Sequence, residues 1–135
     1  YQIVITLPNI DTMGELIRAK IHSYKKTNNK LIVIESFGMK GYLSCMKHCC
    51  LLLGNSSSGF VEASFFSKPV VNLGERQRGR IITSNIFNTK IIKSEIIETI
   101  SAIESLGKLD RNVIYGDGKS AYKIKKIIKD NYGNN

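Results

Sequence analysis

The sequence has no tryptophan, two prolines and two histidines in 135 residues. Two histidines, His22 and His48, are too few for an imidazole-based metal centre. The three cysteines, Cys45, Cys49 and Cys50, lack the Cys-x-x-Cys spacing of a structural zinc site. An odd number of cysteines in or beside apolar segments reads as buried free thiols in a reducing compartment. The cytoplasm is therefore the expected location, and no metal or cofactor is expected. No apolar run is long enough for a membrane span, so no membrane partner is expected. Acidic residues are scarce: 11 Asp+Glu stand against 20 Lys+Arg, for a net charge of +9. That balance suits an anionic ligand or nucleic acid, although general richness in lysine, isoleucine and asparagine explains it equally well. The lysines are spread over 20–30, 90–93 and 119–129 without interleaved aromatics, and no nucleic-acid motif is present, so nucleic acid is not an expected partner.

What is present is ordinary globular composition, 42% hydrophobic and 23% charged, at a length expected of one domain with a real core. The chain opens on an apolar strand with no initiator methionine, which reads as a segment of a longer protein.

The most informative stretch runs from Leu51 to Arg80. Cys49 to Leu53 is a short apolar run of the kind buried in parallel sheets. Gly54-Asn55-Ser56-Ser57-Ser58 cannot extend it and forms a polar loop. A short helix is expected from Gly59, with Phe60, Ala63 and Phe66 at helical spacing. Small residues ahead of a helix N-terminus leave N–H groups and the positive dipole end available to an anion, and serine hydroxyls add donors. Glu62, on the first turn, suits the dipole and is near enough to accept hydrogen bonds from ligand hydroxyls. Pro69 to Leu73 reads as a second buried strand, followed at its C-terminal end by Arg76-Gln77-Arg78-Gly79-Arg80. In open α/β sheets ligands collect beyond the carboxyl ends of strands. Each feature alone has a plainer reading: a capping loop, a dipole residue, a solvated arginine loop. Together they describe a sugar-nucleotide site.

Gly54-Asn55-Ser56-Ser57-Ser58-Gly59, Glu62-Ala63, Pro69, Val71-Asn72-Leu73-Gly74 and Arg76-Gln77 with Gly79-Arg80 resemble the C-terminal half of the UDP-N-acetylglucosamine 2-epimerases, in particular the hydrolysing type. The resemblance is tightest there and collinear from about Tyr1 to Leu106. It implies a Rossmann-like three-layer α/β domain with a mainly parallel sheet, one half of a two-domain glycosyltransferase-B fold. Residues 1–135 would then be the nucleotide-binding C-terminal domain, lacking its N-terminal domain, and the full-length protein a homo-oligomer. It implies conversion of UDP-N-acetylglucosamine to N-acetylmannosamine and UDP, in sialic-acid or related cell-surface sugar synthesis, without metal or nicotinamide. Ser56, Ser57, Ser58 and Gly59 would bind the diphosphate with Arg76, and Glu62 the ribose hydroxyls. Tyr42 would lie at the uracil and Phe37 would offer it backbone hydrogen bonds. A core role for Tyr42 is equally open. The acid/base carboxylates belong largely to the other half of the family fold, so no catalytic residue is named. Two other readings stay open: a sugar-transferring glycosyltransferase-B enzyme, and a non-catalytic anion- or nucleotide-binding module.

The remaining segments read as follows. Tyr1 to Leu7 is a β-branched strand. Asn9-Ile10-Asp11-Thr12 offers caps for a helix with Leu16, Ile17, Ile21 and Tyr24 on one face; Asn9 and Asp11 either cap it or line the cleft. Leu31 to Glu35 is a strand, 36–41 a loop and Tyr42 to His48 a short helix. Ile86-Phe87 predicts a short strand, and 90–93 reads as another. Ser94 caps a helix to Leu106 with Ile96, Ile97, Ile100 and Ile103 as its stripe and Gly107 as its stop. A loop over 110–118 precedes a last helix, 120–131, with Ile124, Ile127 and Ile128 inward. Residues 133–135 are an expected frayed tail.

Overall fold

The computed structural model describes residues 1–8 and 13–133. The elements run β1 (Ile3–Thr6), α1 (Gly14–Thr27), β2 (Leu31–Ile34), α2 (Gly38–His48), β3 (Leu52–Gly54), a 3-10 turn (Ser57–Gly59), α3 (Glu62–Phe65), β4 (Val70–Leu73), β5 (Ile86–Thr89), α4 (Lys93–Glu104) and α5 (Ser120–Tyr132). The architecture is α/β with parallel pairing, as a Rossmann-like domain requires. The strands form two sheets, β1-β2 and β3-β4-β5. The chain divides into two compact units, residues 1–45 and 46–135.

The first unit is built on a βαβ element. β1 and β2 pair in parallel with Ile3 opposite Leu31 and Thr6 opposite Ile34. Their β-branched residues favour the pleated surface. α1 ends at Thr27, where Asn28 leaves helical geometry. Its expected capping residues, Asn9 and Asp11 among them, lie outside the described residues. The expected inward stripe of α1 is largely uncovered: Leu16, Ile17 and Tyr24 are all exposed. Two four-residue strands offer too little surface to bury it. Arg18 ties the strand ends together, donating to the Pro8 carbonyl at 3.2 and 3.0 Å and meeting Glu35 at 3.3 Å. α2 begins at Gly38, four residues earlier than expected. Gly38 enters it at φ +61°, a left-handed conformation that glycine adopts without a Cβ clash.

The second unit holds the core: Phe60, Ala63, Val70, Val71, Ile86 and Ile103 are buried. β4 is its central strand, buried along Val70–Asn72, with β3 and β5 on either side. β3 is shorter than expected and lies at the sheet edge, so Leu53 is half exposed instead of buried. β5 spans Ile86–Thr89, and residues 90–92 form no strand. The in-register pair Asn72 and Asn88 is joined by a side-chain hydrogen bond of 2.8 Å, which satisfies the buried Asn72. The entrance to β4 is fixed by a polar cluster: Asn85 donates to the Lys68 carbonyl at 3.0 Å and Lys68 to the Cys49 carbonyl at 2.8 Å.

α4 packs on β4 and β5 and starts at Lys93. Ser94 lies inside it and gives no side-chain cap, contrary to the expectation. It ends at Glu104, ahead of Gly107, and of its four stripe isoleucines Ile103 is buried while Ile97 is half exposed. α5 has no buried residue; Ile124, Ile127 and Ile128 are exposed rather than inward. Nothing in the described unit covers that face. Cys45 and Cys49 are half-buried and Cys50 is exposed, none of the three in a disulfide, so burial holds only in part. Of the expected frayed tail, residues 134 and 135 lie outside the described residues.

Candidate functional site

The site is assembled from two loops that leave adjacent parallel strands. β3 and β4 pair with Gly54 opposite Asn72, so their C-terminal ends open at the same sheet edge. Gly54 leaves β3 at φ +153°. The chain then turns through Asn55 and Ser56 into the 3-10 turn. Ser56 caps that turn: its hydroxyl accepts from the Ser58 N–H at 3.4 Å and lies 3.0 Å from the Ser58 hydroxyl. The N–H groups of Gly59 and Phe60 are taken by the carbonyls of Ser56 and Ser57. Among the described residues, those of Ser56 and Ser57 donate to no protein acceptor. Ser56 and Ser57 are exposed and Ser58 is half-buried.

The expected helix from Gly59 is thus a 3-10 turn beginning at Ser57, two helical-region residues, and a four-residue α3. Gly59 is needed for packing. A Cβ on it would stand 2.8 Å from Val70 Cγ1 on β4, so only glycine lets the turn rest on the central strand. Ser64, fully buried, holds the irregular step by donating to the Phe60 and Val61 carbonyls, both at 2.9 Å. Glu62 opens α3, half-buried, and its carboxylate has no hydrogen-bond or ion-pair partner among the described residues.

The second loop leaves β4 at Gly74, with φ +68°. It reaches the serine loop by two bonds. Gln77 Nε2 donates to the Asn55 carbonyl at 2.8 Å, and Arg76 Nη1 donates to Asn55 Oδ1 at 3.4 Å. Arg80 Nε in turn donates to Gln77 Oε1 at 2.6 Å. Gln77 is buried, whereas Arg76, Arg78 and Arg80 are exposed. The structure therefore brings Arg76 to the serine loop. A guanidinium, two unengaged N–H groups and hydroxyls at one sheet edge can hold an anion of phosphate type.

Gln77 and Asn55 are the residues that sequence reasoning passed over as site builders. Both stood inside the matched motifs, but their role depends on which carbonyl a buried amide reaches. Tyr42 and Phe37 lie in the first unit, both half-buried, on α2 and just before it. Among the described residues no group of His, Cys, Asp and Glu side chains is arranged to hold a metal ion. Among them too, no helix is long and apolar enough to cross a membrane.

A model of a family described as UDP-N-acetylglucosamine 2-epimerase matches residues 1–129. A Campylobacter jejuni protein named GDP/UDP-N,N'-diacetylbacillosamine 2-epimerase (hydrolyzing) is 39% identical over 105 residues, covering 77% of this chain and 26% of that protein. A Legionella pneumophila protein named UDP-N,N'-diacetylbacillosamine 2-epimerase (hydrolyzing) is 31% identical over 128 residues, 95% of this chain and 34% of its own length. A Neisseria meningitidis protein named UDP-N-acetylglucosamine 2-epimerase is 30% identical over 127 residues, 94% of this chain and 33% of its own length. The chain thus spans about a quarter to a third of the length of these relatives. With the motifs placed at one sheet edge and the match running through residue 129, the chain belongs to the UDP-N-acetylglucosamine 2-epimerase family.

Proposed function

We propose that this chain is the UDP-binding part of a hydrolysing UDP-sugar 2-epimerase, the C-terminal domain of a two-domain glycosyltransferase-B enzyme. The observation that carries the reading is the joining of the serine and arginine loops through Asn55, with the unpaired Glu62 carboxylate one turn beyond. In this reading the hydroxyls of Ser56, Ser57 and Ser58 and the unengaged N–H groups of Ser56 and Ser57 bind the diphosphate, with Gly59, its own N–H held by the Ser56 carbonyl, lining the loop. Arg76 turns from Asn55 to the charge that grows on the diphosphate as it leaves, where a fixed donor counts most. Glu62 accepts from the ribose hydroxyls. Tyr42 and Phe37 take the uracil, on the strength of the family resemblance and the preference of a flat ring for a nucleobase.

The reaction is elimination of UDP across C1–C2 followed by addition of water, yielding the 2-epimer and UDP. Its acid and base belong largely to the part of the enzyme outside this chain. The uncovered faces of α1 and α5 support the presence of such a part. The chain by itself is inactive in this proposal, because half a cleft neither positions the carboxylates nor excludes water. The enzyme works in the cytoplasm on a nucleotide sugar for cell-surface polysaccharide synthesis, as a homo-oligomer. The substrate is UDP-N-acetylglucosamine; the names of two relatives make its N,N'-diacetylated counterpart the comparison to run.

Calorimetric titration of the full-length protein with UDP, AMP and inorganic phosphate tests the reading. UDP is expected to bind well above the other two, with turnover of one UDP-sugar and release of free UDP. Equal binding of all three would reduce the site to a general anion loop.

A further inference from the structure

Arg111 and Asn112 contact the C-terminal residues of α3. The Arg111 guanidinium lies 3.6 Å from the centroid of the Phe65 ring. The next residue, Asn112, donates its N–H to the Ser64 carbonyl at 3.1 Å. The Tyr115 hydroxyl donates to the Ile81 carbonyl, just beyond the arginine loop, at 3.4 Å. One segment thus touches both the helix that carries Glu62 and the exit of the loop that carries Arg76. α3 has four residues, too few to hold a helical turn on local bonds alone. Its orientation therefore depends on tertiary contacts: buried Ala63 and Ser64 fix its inner face, and Arg111 grips the outer, Phe65 end. Within α3, Glu62 and Phe65 are one turn apart, so a tilt at the Phe65 end swings the Glu62 carboxylate.

The geometry points to Arg111 as a positioning residue for Glu62: by its cation–π contact with Phe65 it fixes the orientation of α3 and hence the carboxylate that receives the ribose hydroxyls. This rests on the assignment of Glu62 to the ribose made above. Arg111 touches no ligand in this scheme and has no part in gripping the diphosphate, which falls to the serine loop and Arg76.

The test compares R111A, R111K, F65L and E62Q in the full-length protein, each titrated with UDP and with pyrophosphate and melted. R111A is expected to weaken UDP roughly two- to fivefold, the loss of one exposed cation–π contact. Pyrophosphate affinity and melting temperature should stay at wild-type values, since Arg111 is exposed. R111K should recover most of the UDP loss, because an ammonium is also drawn to the ring face. F65L should weaken UDP at least as much as R111A, because it also removes the edge-on contact with Phe66, and R111A added to E62Q should cost nothing further. R111A binding UDP like the wild type while E62Q does not would overturn the role of Arg111 and leave the ribose assignment standing. Equal losses for UDP and pyrophosphate in R111A would also overturn it, by making the contact one of general folding. E62Q binding UDP like the wild type would remove the ribose assignment and the inference with it.

Discussion

The side-chain amide of Gln77 donates to the backbone carbonyl of Asn55 at 2.8 Å, and through that bond the loop after β4 holds the loop after β3. Gln77 is buried and also accepts from Arg80. Replacing it with alanine leaves a carbonyl and a guanidinium N–H without their partner. Q77A is expected to lower stability by about 0.5–1.5 kcal/mol, the net worth of a hydrogen bond, because the partners left behind, Asn55 and Arg80, are exposed and can turn to water. It should also loosen the serine loop, so pyrophosphate binding should fall with it. Urea denaturation and pyrophosphate titration measure the two effects; a variant with wild-type stability and affinity would show that the bond does not hold the loops.

Gly59 should not tolerate a methyl group. The alanine Cβ would meet Val70 Cγ1 at 2.8 Å, well inside contact distance, and the central strand cannot retreat. G59A is expected to destabilise by about 1–3 kcal/mol, as overpacking does. Shrinking the other partner should relieve the clash, so G59A/V70A should lose less than the sum of the single losses. Strict additivity in denaturation experiments would place the strain elsewhere.

Arg76→Lys should not restore what Arg76→Ala removes. A guanidinium can offer two parallel donors to a phosphate, whereas an ammonium is a hydrated point charge. UDP titration of wild type, R76A and R76K at fixed ionic strength is expected to rank them in the order wild type, lysine, alanine. In the full-length enzyme the deficit should be larger in turnover than in UDP affinity, because charge on the diphosphate grows as it departs. Agreement of all three within about 0.5 kcal/mol would mark Arg76 as a surface charge.

Asp117 offers a pH-dependent signal outside the site. Its carboxylate accepts from the Lys119 N–H at 3.0 Å and pairs with Lys123 at 3.1 Å. The backbone donor first, and then the lysine, hold its pKa below the ordinary value of 3.8. A carboxyl that is more acidic when folded stabilises the folded form above its unfolded pKa. That contribution is expected to be complete above about pH 5, where an unfolded aspartate is almost fully ionised, and to disappear as pH falls through the lower folded value. A carbon-13 NMR titration should show the Asp117 carboxyl titrating below the ordinary value of 3.8. Exchange of the Lys119 amide should accelerate over the same low-pH range. An Asp117 titration at the ordinary value would disprove the cap.

Periodicity and turn chemistry made most of the elements legible. The β-branched runs became β1, β2 and β4, the strand at Ile86 became β5, and parallel pairing followed from the alternation with helices. The segments that read less well share a cause. β3 is shorter than its apolar run because Lys68 reaches across to the Cys49 carbonyl and the ladder begins only at Leu52. α2 starts early because glycines at 38 and 41, which read as loop, fit a helix start in this context. The stripes of α1 and α5 have helical spacing but find nothing to cover them in the described units.

The sequence by itself determined the alternation of strand and helix, the family, and the identity of the groups able to meet an anion: three serine hydroxyls, a glutamate and an arginine at fixed places. These are local properties, set by side-chain shape, hydrogen-bonding capacity and spacing. Only the tertiary structure decided that Gly59 is there for Val70, that a buried Gln77 ties the two loops through Asn55, and that Arg111 stacks on the helix bearing Glu62. Each of those depends on groups brought within a few ångströms by strands paired in a particular register. Register is the sum of many weak preferences along the sheet, and no single residue carries it.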